Sequence, residues 1–334
     1  MKGVGYYSKG GPENLVQIEL SVPEPGPRDL LVRVRAVSVN PVDVKRRRWE
    51  DPAEGSAHRI LGYDAAGVVV AVGGAVTAFN PGDEVFYAGA MNRPGTNAEF
   101  HLVDERIVGP KPSSLSFAHA AALPLTSITA WEILFDRMNI PYGSKAPSGT
   151  LLILNGAGGV GSMLTQLARR LTGLTVVATA SRPESKDWVQ DLGAHYVADH
   201  SQPIDEALRS IGFEEVDYIA AITTTAGSAP ALARALAPQG HITFIDNFDD
   251  SIMPFKTKSI TVSWEMMFTR SLFQTADMGA QNQLLREVSS LADLGVIKST
   301  LTQLVGPMEV EALQEAHWLV ESGRTIGKIA LENP

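Results

Sequence analysis

"LLILNGAGGVGSMLTQLARRL" (residues 151–171) decides the fold class. A continuous apolar run leads into glycines at GxGxxG spacing, and a stretch of good helix formers follows. In that strand–loop–helix setting each glycine has a reading. Gly156 is expected to make the tight turn, Gly158 to let the backbone approach a pyrophosphate, and Gly161 to let helix pack on strand. Gly159 and Val160 lie between them, where amides at a helix N-terminus face phosphate and the helix dipole favours negative charge. A purely structural turn is the alternative; dinucleotide binding is the expectation.

Beyond the loop, "LTVVATA" (174–180), "VDYIAAI" (216–222), "GHITFID" (240–246) and "SITVSWEMMF" (259–268) read as strands. Helical stretches near 159–171, 184–192, 204–211 and 228–237 separate them. That alternation predicts an α/β fold, a doubly wound parallel sheet with crossover helices. Upstream the chain reads as β. "DLLVRVRAVSV" (29–39) alternates like a half-buried strand, "AGVVVAVG" (66–73) is Val-rich, and "NPGDEVFY" (80–87) is a turn feeding a strand. Glycine and proline punctuation there suggests a barrel-like unit. "LPLTSITAWEILFDRM" (123–138) is helical, with Pro124 suited to its start. Two amphipathic helices are expected within 280–322, and "GKIALE" (327–332) closes as a strand.

About 20 residues past the glycine loop, NAD-specific sites carry an acid for the ribose 2′-hydroxyl. Here the second strand ends "VVATASRPESK", with no carboxylate before Glu184. Ser181 and Arg182 stand at that place and Lys186 one helical turn on, a set suited to a 2′-phosphate through charge-assisted hydrogen bonds. NADP(H) is therefore favoured, unless Arg182 merely points into solvent.

Bulk properties narrow the function classes. At 334 residues two domains are expected. The net charge of -9 argues against nucleic acid as the main partner. The one basic cluster, "VKRRRWED" (44–51), is expected to be a solvated loop or a partner contact. With 0 cysteines, disulfides, thiolate zinc sites, iron–sulfur clusters and cysteine nucleophiles are excluded. "MKGVGYYSKGG" lacks the apolar core of a signal peptide, and no apolar run reaches about 18 residues. A soluble cytoplasmic protein with no membrane partner is the expectation.

The motifs "VSVNPVDVKRR", "LGYDAAGVVVAVG", "NPGDEVFYAG", "NAEFHLVDE", "AAALPLTSITAWE", "GAGGVG" and "GRTIGKIAL" occur in an order that resembles the medium-chain dehydrogenase/reductase superfamily, specifically its zinc-free quinone-oxidoreductase branch. The resemblance runs over nearly the whole chain. It implies a GroES-like catalytic domain (1–124), an inserted Rossmann NADP-binding domain (125–268), a return segment completing the catalytic domain (269–334), and an active site in the cleft between domains. Zinc-dependent members hold the catalytic metal with a cysteine near "NPVD" and a histidine in a "GHE" motif. Those positions here look like Asn40 and Tyr63, with Asp64 in place of the glutamate. Neither an amide nor a phenol is a good zinc ligand, and the seven histidines show no HExxH or comparable spacing. No metal is expected.

Without a Lewis acid, reduction of a quinone or an activated double bond is an easier task than alcohol oxidation. Tyr63 is the candidate hydrogen-bond donor to the developing oxyanion, against a packing role. Asn40 resembles a family residue at the nicotinamide end of the cleft, against an Asn-Pro turn. Asp64 is expected to organise loop backbone rather than act as an acid, and Asn92 to line the substrate pocket or simply make a turn. The resemblance also implies cofactor contacts from Thr126, His200, Thr223, Phe244, Ile245 and Lys328, although Thr126 could be a helix cap. The segment 259–268 reads as an edge strand through which relatives dimerise. The expected function is an NADPH-dependent quinone or enone reductase acting as a homodimer. The alternatives are a reductase of simple carbonyls or alcohols, and a non-catalytic NADP(H)-binding protein of the zeta-crystallin type.

Overall fold

A computed structural model describes residues 1–333, and the chain divides into two compact units, Met1–Ile128 with Phe268–Pro334, and Thr129–Met267. No helix among the described residues is long and apolar enough to cross a membrane.

The second unit is built on a six-stranded sheet in the order Tyr196–Ala198, Thr175–Thr179, Thr150–Ile153, Val216–Ala221, Leu236–Phe244, Thr261–Trp264. Every pairing is parallel, the arrangement of a doubly wound Rossmann sheet. Leu152, Val177, Ile219 and Ile242 are fully buried in one core cluster. Side chains this apolar suit strands covered on both faces. Helix Gly159–Leu171 packs on the sheet through Met163, Leu164, Leu167 and Ala168, all fully buried. Thr261–Trp264 is an edge strand, as the sequence suggests, but shorter than the apolar run 259–268. The helix Pro124–Trp131 passes into a π-helical turn, Glu132–Arg137, which its apolar spacing did not announce.

The first unit contains a seven-stranded sheet organised around one long strand, Asp29–Val39. Along one edge it pairs with Ala65–Val72. Along the other, residues 29–33 pair with Phe100–Asp104 and residues 36–39 with Lys328–Glu332. The long strand thus has two successive partners on one side and one on the other. The expected half-burial of 29–39 is corrected: only Arg33 is exposed. The helix Phe117–Ala121 packs over this strand, and Arg35 lies over the Phe117 ring at 5.6 Å.

Residues 44–51 depart further from expectation. Residues 44–49 are not a loop but part of a helix, Pro41–Trp49, and only Glu50 and Asp51 lie beyond it. Asn40 caps it, Pro41 fills the first turn, and Asp43 Oδ2 accepts from the Asn40 N–H at 2.8 Å. Arg46, Arg47 and Arg48 occupy its last turn, where cations complement the dipole. Arg47 is fully buried, donating to the Gly10 carbonyl and to Glu321, each at 2.9 Å. The return segment holds helices Ala280–Asp293 and Val310–Glu321, and between them a strand, Leu301–Pro307, that the sequence reading did not contain.

Candidate functional site

The glycine loop connects Thr150–Ile153 to Gly159–Leu171. The left-handed residue of its turn is Asn155, φ 56°, and not Gly156. Asn tolerates that region through its short polar side chain, which corrects the turn-forming role expected of Gly156. Gly156 is required for closeness instead, since a Cβ there would lie 2.8 Å from Ala178 Cβ. At Gly161 a Cβ would come within 2.4 Å of the Asn155 carbonyl oxygen, so helix and strand could not approach as they do. Gly158 differs: the nearest atoms to a Cβ there belong to the Asn155 side chain, the first at 3.1 Å, and none of these is backbone. Gly159, Val160 and Gly161 form the first turn of the helix, where amides lie beyond intrahelical acceptors and the dipole favours an anion. A dinucleotide fits this loop.

At the carboxyl end of the next strand, Ser181 and Arg182 are partly buried, and Arg182 caps the helix Pro183–Asp191. Lys186, expected to face a 2′-phosphate, instead pairs with Asp199 at 3.0 Å. His200 places Nδ1 3.2 Å from Thr179 Oγ1 and is otherwise exposed. Thr223 is exposed just past Val216–Ala221. Ile245 is half-buried and donates its N–H to Ala221 at 3.4 Å. Phe244 is a core residue, 1% exposed and stacked on Phe248 at 4.1 Å, with its carbonyl taken by the Glu265 N–H. Its side chain presents no ligand surface.

The first unit gathers a buried polar cluster from distant parts of the chain: Ser38, Asn40, Asp43, Asp64 and Lys328, each 4% exposed or less. Asp64 accepts from Ser38 Oγ and Asn40 Nδ2, each at 2.8 Å, and from Lys328 Nζ at 3.1 Å. It also accepts from the Leu125 N–H at 2.8 Å, so its carboxylate sits at the N-terminus of helix Pro124–Trp131, a favourable place for negative charge. One of these donors is backbone and three are side chains, so Asp64 gathers a side-chain cluster more than the loop backbone expected of it. Lys328 spends its remaining hydrogens on the Val39 carbonyl and Asn40 Oδ1. Thr126 donates back to the Leu123 carbonyl at 3.0 Å. Burial pushes the Asp64 carboxyl up, opposed mainly by Lys328. Burial likewise raises Asp43 to about 7, opposed by the Asn40 N–H, Lys328 and the Gly62 N–H.

Tyr63 lies beside this cluster, 1% exposed, with Phe268 edge-on at 5.2 Å. Its hydroxyl accepts from Arg46 Nη1, and the guanidinium also lies 5.7 Å from the ring centre. Burial raises the phenol to about 12, against the pull of Arg46. The oxygen therefore stays protonated near neutral pH, and its own hydrogen points away from the arginine. Asn92 is exposed and lines a small cavity with Asp104, Ser271, Gln274 and Met278. Arg46 and Asp43 were missed in the sequence. The Asn-x-x-Asp spacing at 40–43 was a usable signal for a helix start and hence for Asp43; nothing local announced Arg46.

The donors at the positions where zinc-dependent members bind metal do not fit zinc. The Asn40 amide oxygen is engaged by an ammonium and the Tyr63 oxygen by a guanidinium. Among the described residues no three His, Cys, Asp or Glu side chains assemble into a group able to hold a metal ion.

Comparison with known proteins agrees on the lineage and not on one activity. Residues 26–113 match the alcohol dehydrogenase GroES-like domain, and residues 192–331 match the zinc-binding dehydrogenase family. A zinc-type alcohol dehydrogenase-like protein of Staphylococcus aureus is 41% identical over 322 residues, 95% of each chain. An NADPH-dependent alkenal/one oxidoreductase of Arabidopsis thaliana is 36% identical over 255 residues, covering 72% of this chain and 64% of its own. Among solved structures, a Rhizobium etli CFN 42 protein assigned provisionally to the zinc-dependent alcohol dehydrogenases superposes with a TM-score of 0.95 at 50% identity, over 100% of this chain and 98% of its own. A Pseudomonas syringae quinone oxidoreductase superposes at 0.84 and 26% identity over 99% of each. A parallel Rossmann sheet, a GroES-like unit and relatives of this similarity identify the chain as a zinc-type alcohol dehydrogenase-like oxidoreductase of the medium-chain dehydrogenase/reductase superfamily.

Proposed function

We propose that this protein is an NADPH-dependent, zinc-independent reductase that delivers hydride to a quinone or an α,β-unsaturated carbonyl, and that it works as a cytoplasmic homodimer. The observation that carries the reading is the commitment of Asn40 Oδ1 and Asp64 Oδ2 to the Lys328 ammonium, in place of the metal ligation that zinc-dependent members have there. The Arabidopsis enone reductase and the Pseudomonas quinone oxidoreductase point to the same acceptor classes.

When bound at the glycine loop, NADPH supplies the hydride. Residues 156–161 hold its pyrophosphate, Ser181 and Arg182 face its 2′-phosphate, and Thr223 and Ile245 border the sheet's carboxyl end. Adding hydride to a conjugated carbon leaves charge on a carbonyl or quinone oxygen, which needs a hydrogen-bond donor and a dry site rather than a metal. Tyr63 is that donor. Arg46 donates to its oxygen and so leaves the phenolic hydrogen to be given elsewhere. Asn40 Nδ2 keeps one hydrogen beyond the one spent on Asp64. Dimerisation would cover the edge strand Thr261–Trp264, where Trp264 is 49% exposed, and Met266 just beyond it, 45% exposed.

The test is NADPH oxidation with a panel of quinones, enones and aldehydes, with and without a strong chelator. Turnover of quinones or enones, unchanged by chelation, is expected. Tyr63→Phe should lower kcat about a hundredfold, the scale of one lost oxyanion donor, with NADPH affinity unchanged. Turnover confined to aldehydes would overturn the acceptor class. Inactivity across the panel with NADPH bound would establish a binding protein instead. Light scattering that gives a monomer would remove the dimer.

A further inference from the structure

One acid at the carboxyl end of the Rossmann sheet has no part in the reading above. Tyr196–Ala198 runs parallel to Thr175–Thr179 with Ala198 opposite Thr179, and the Ala180 N–H donates to the Ala198 carbonyl at 3.0 Å. That register sets Asp199 beside the Ala180–Ser181 strand end, where the adenosine ribose is expected. Asp199 Oδ2 holds Lys186 Nζ at 3.0 Å, and Oδ1 accepts the Ser201 N–H at 3.0 Å. The cation one turn beyond Arg182 is thus already paired. The two side chains are 40% and 34% exposed, so the pair opens at small cost.

We propose that Asp199 is an internal competitor for the cofactor's 2′-phosphate, holding Lys186 in the cofactor-free protein and setting how strongly NADP(H) is preferred over NAD(H). The inference rests on the NADP(H) reading. A phosphate monoester brings a charge of roughly −2, and Lys186 can serve it only by leaving or sharing Asp199. The Ser201 N–H and hydroxyl and the Lys186 ammonium hold Asp199 down at about 2, so its carboxylate repels the incoming phosphate throughout the physiological range. An unphosphorylated ribose meets no such opposition. Its 2′-hydroxyl can donate to a carboxylate, the contact NAD-specific sites supply from the neighbouring strand. Asp199 therefore narrows the gap between the two cofactors that Arg182 and Ser181 open.

Calorimetric titration of the full-length protein with 2′,5′-ADP and 5′-AMP tests this, using wild type, Asp199→Asn, Lys186→Gln and the double variant. Asp199→Asn should bind 2′,5′-ADP about fivefold tighter, the scale of one partly exposed ion pair, with 5′-AMP affinity unchanged or lower. The gain should shrink in the Lys186→Gln background and with added salt. Unchanged or weaker binding of 2′,5′-ADP by Asp199→Asn, or an equal gain for 5′-AMP, overturns the proposal alone. Wild type that binds 2′,5′-ADP no more tightly than 5′-AMP overturns the NADP(H) reading and this inference with it. Equal melting temperatures across the variants establish that folding is not the cause of any change.

Discussion

The glycine loop and the buried cluster around Asp64 are both polar sites, but they are assembled by opposite means. The loop takes its chemistry from backbone amides within residues 155–161 and keeps side chains out of the way. The cluster takes its chemistry from side chains that meet across 264 positions from Asp64 to Lys328 and 288 from Asn40 to Lys328. A site of the first kind survives most substitutions that preserve its glycines. A site of the second kind is a set of buried charges, and removing one partner leaves the others uncompensated.

The largest expected effect belongs to the cluster. Lys328→Met strips Asp64 of its ammonium and should cost about 3–5 kcal/mol of stability, read by denaturant unfolding. A loss below about 1 kcal/mol would mean that the hydrogen bonds from Ser38, Asn40 and Leu125 carry Asp64 unaided. Gly161→Ala comes next. Its Cβ meets two carbonyl oxygens, of Asn155 and Gly156, and should force the loop apart at a cost of about 1–3 kcal/mol. Gly158→Ala, whose Cβ has the Asn155 side chain as its nearest neighbour, should leave stability nearly unchanged and still weaken NADPH, measured by fluorescence; equal stability losses would erase the distinction between the two glycines. Arg182→Ala should weaken NADPH about tenfold and leave NADH within twofold, the scale of one charge-assisted contact. Equal effects would show that Arg182 does not read the 2′-phosphate.

The smallest effect is a slope. Asp43 titrates near 7 in the folded protein against 3.8 as its ordinary value, because burial favours the neutral acid. The folded state therefore binds the extra proton between those values, and this group's contribution to stability falls as pH rises from about 4 to about 7. Asp43→Asn should flatten melting temperature against pH across that window. An unchanged slope would mean that the Asn40 and Gly62 amides hold Asp43 charged.

Legibility followed the same division. The Rossmann strands and the glycine loop were readable because apolar runs and glycine spacing are local. The loop's backbone departs from expectation where Asn155 takes the left-handed conformation that glycine was expected to supply. Residues 44–51 misled because four cations in a row suggest solvent, while the fold buries Arg47 against Glu321. The Lys186–Asp199 pair was unreadable for a plainer reason: strand register, not sequence spacing, brings the two together. Tyr63 and Asn40 were singled out from their motifs, but their partners Arg46 and Lys328 depend on tertiary packing that no local spacing announces.

The long strand Asp29–Val39 also governs the order in which the molecule can be completed during synthesis. All six strands of the Rossmann sheet lie between residues 150 and 264, so that sheet is available to pair while the ribosome is still translating. The residue 36–39 edge must wait for Lys328–Glu332. Until then it is an uncovered strand edge in a nascent chain, so the first unit, and not the Rossmann sheet, is the one left open to misplaced pairing during synthesis.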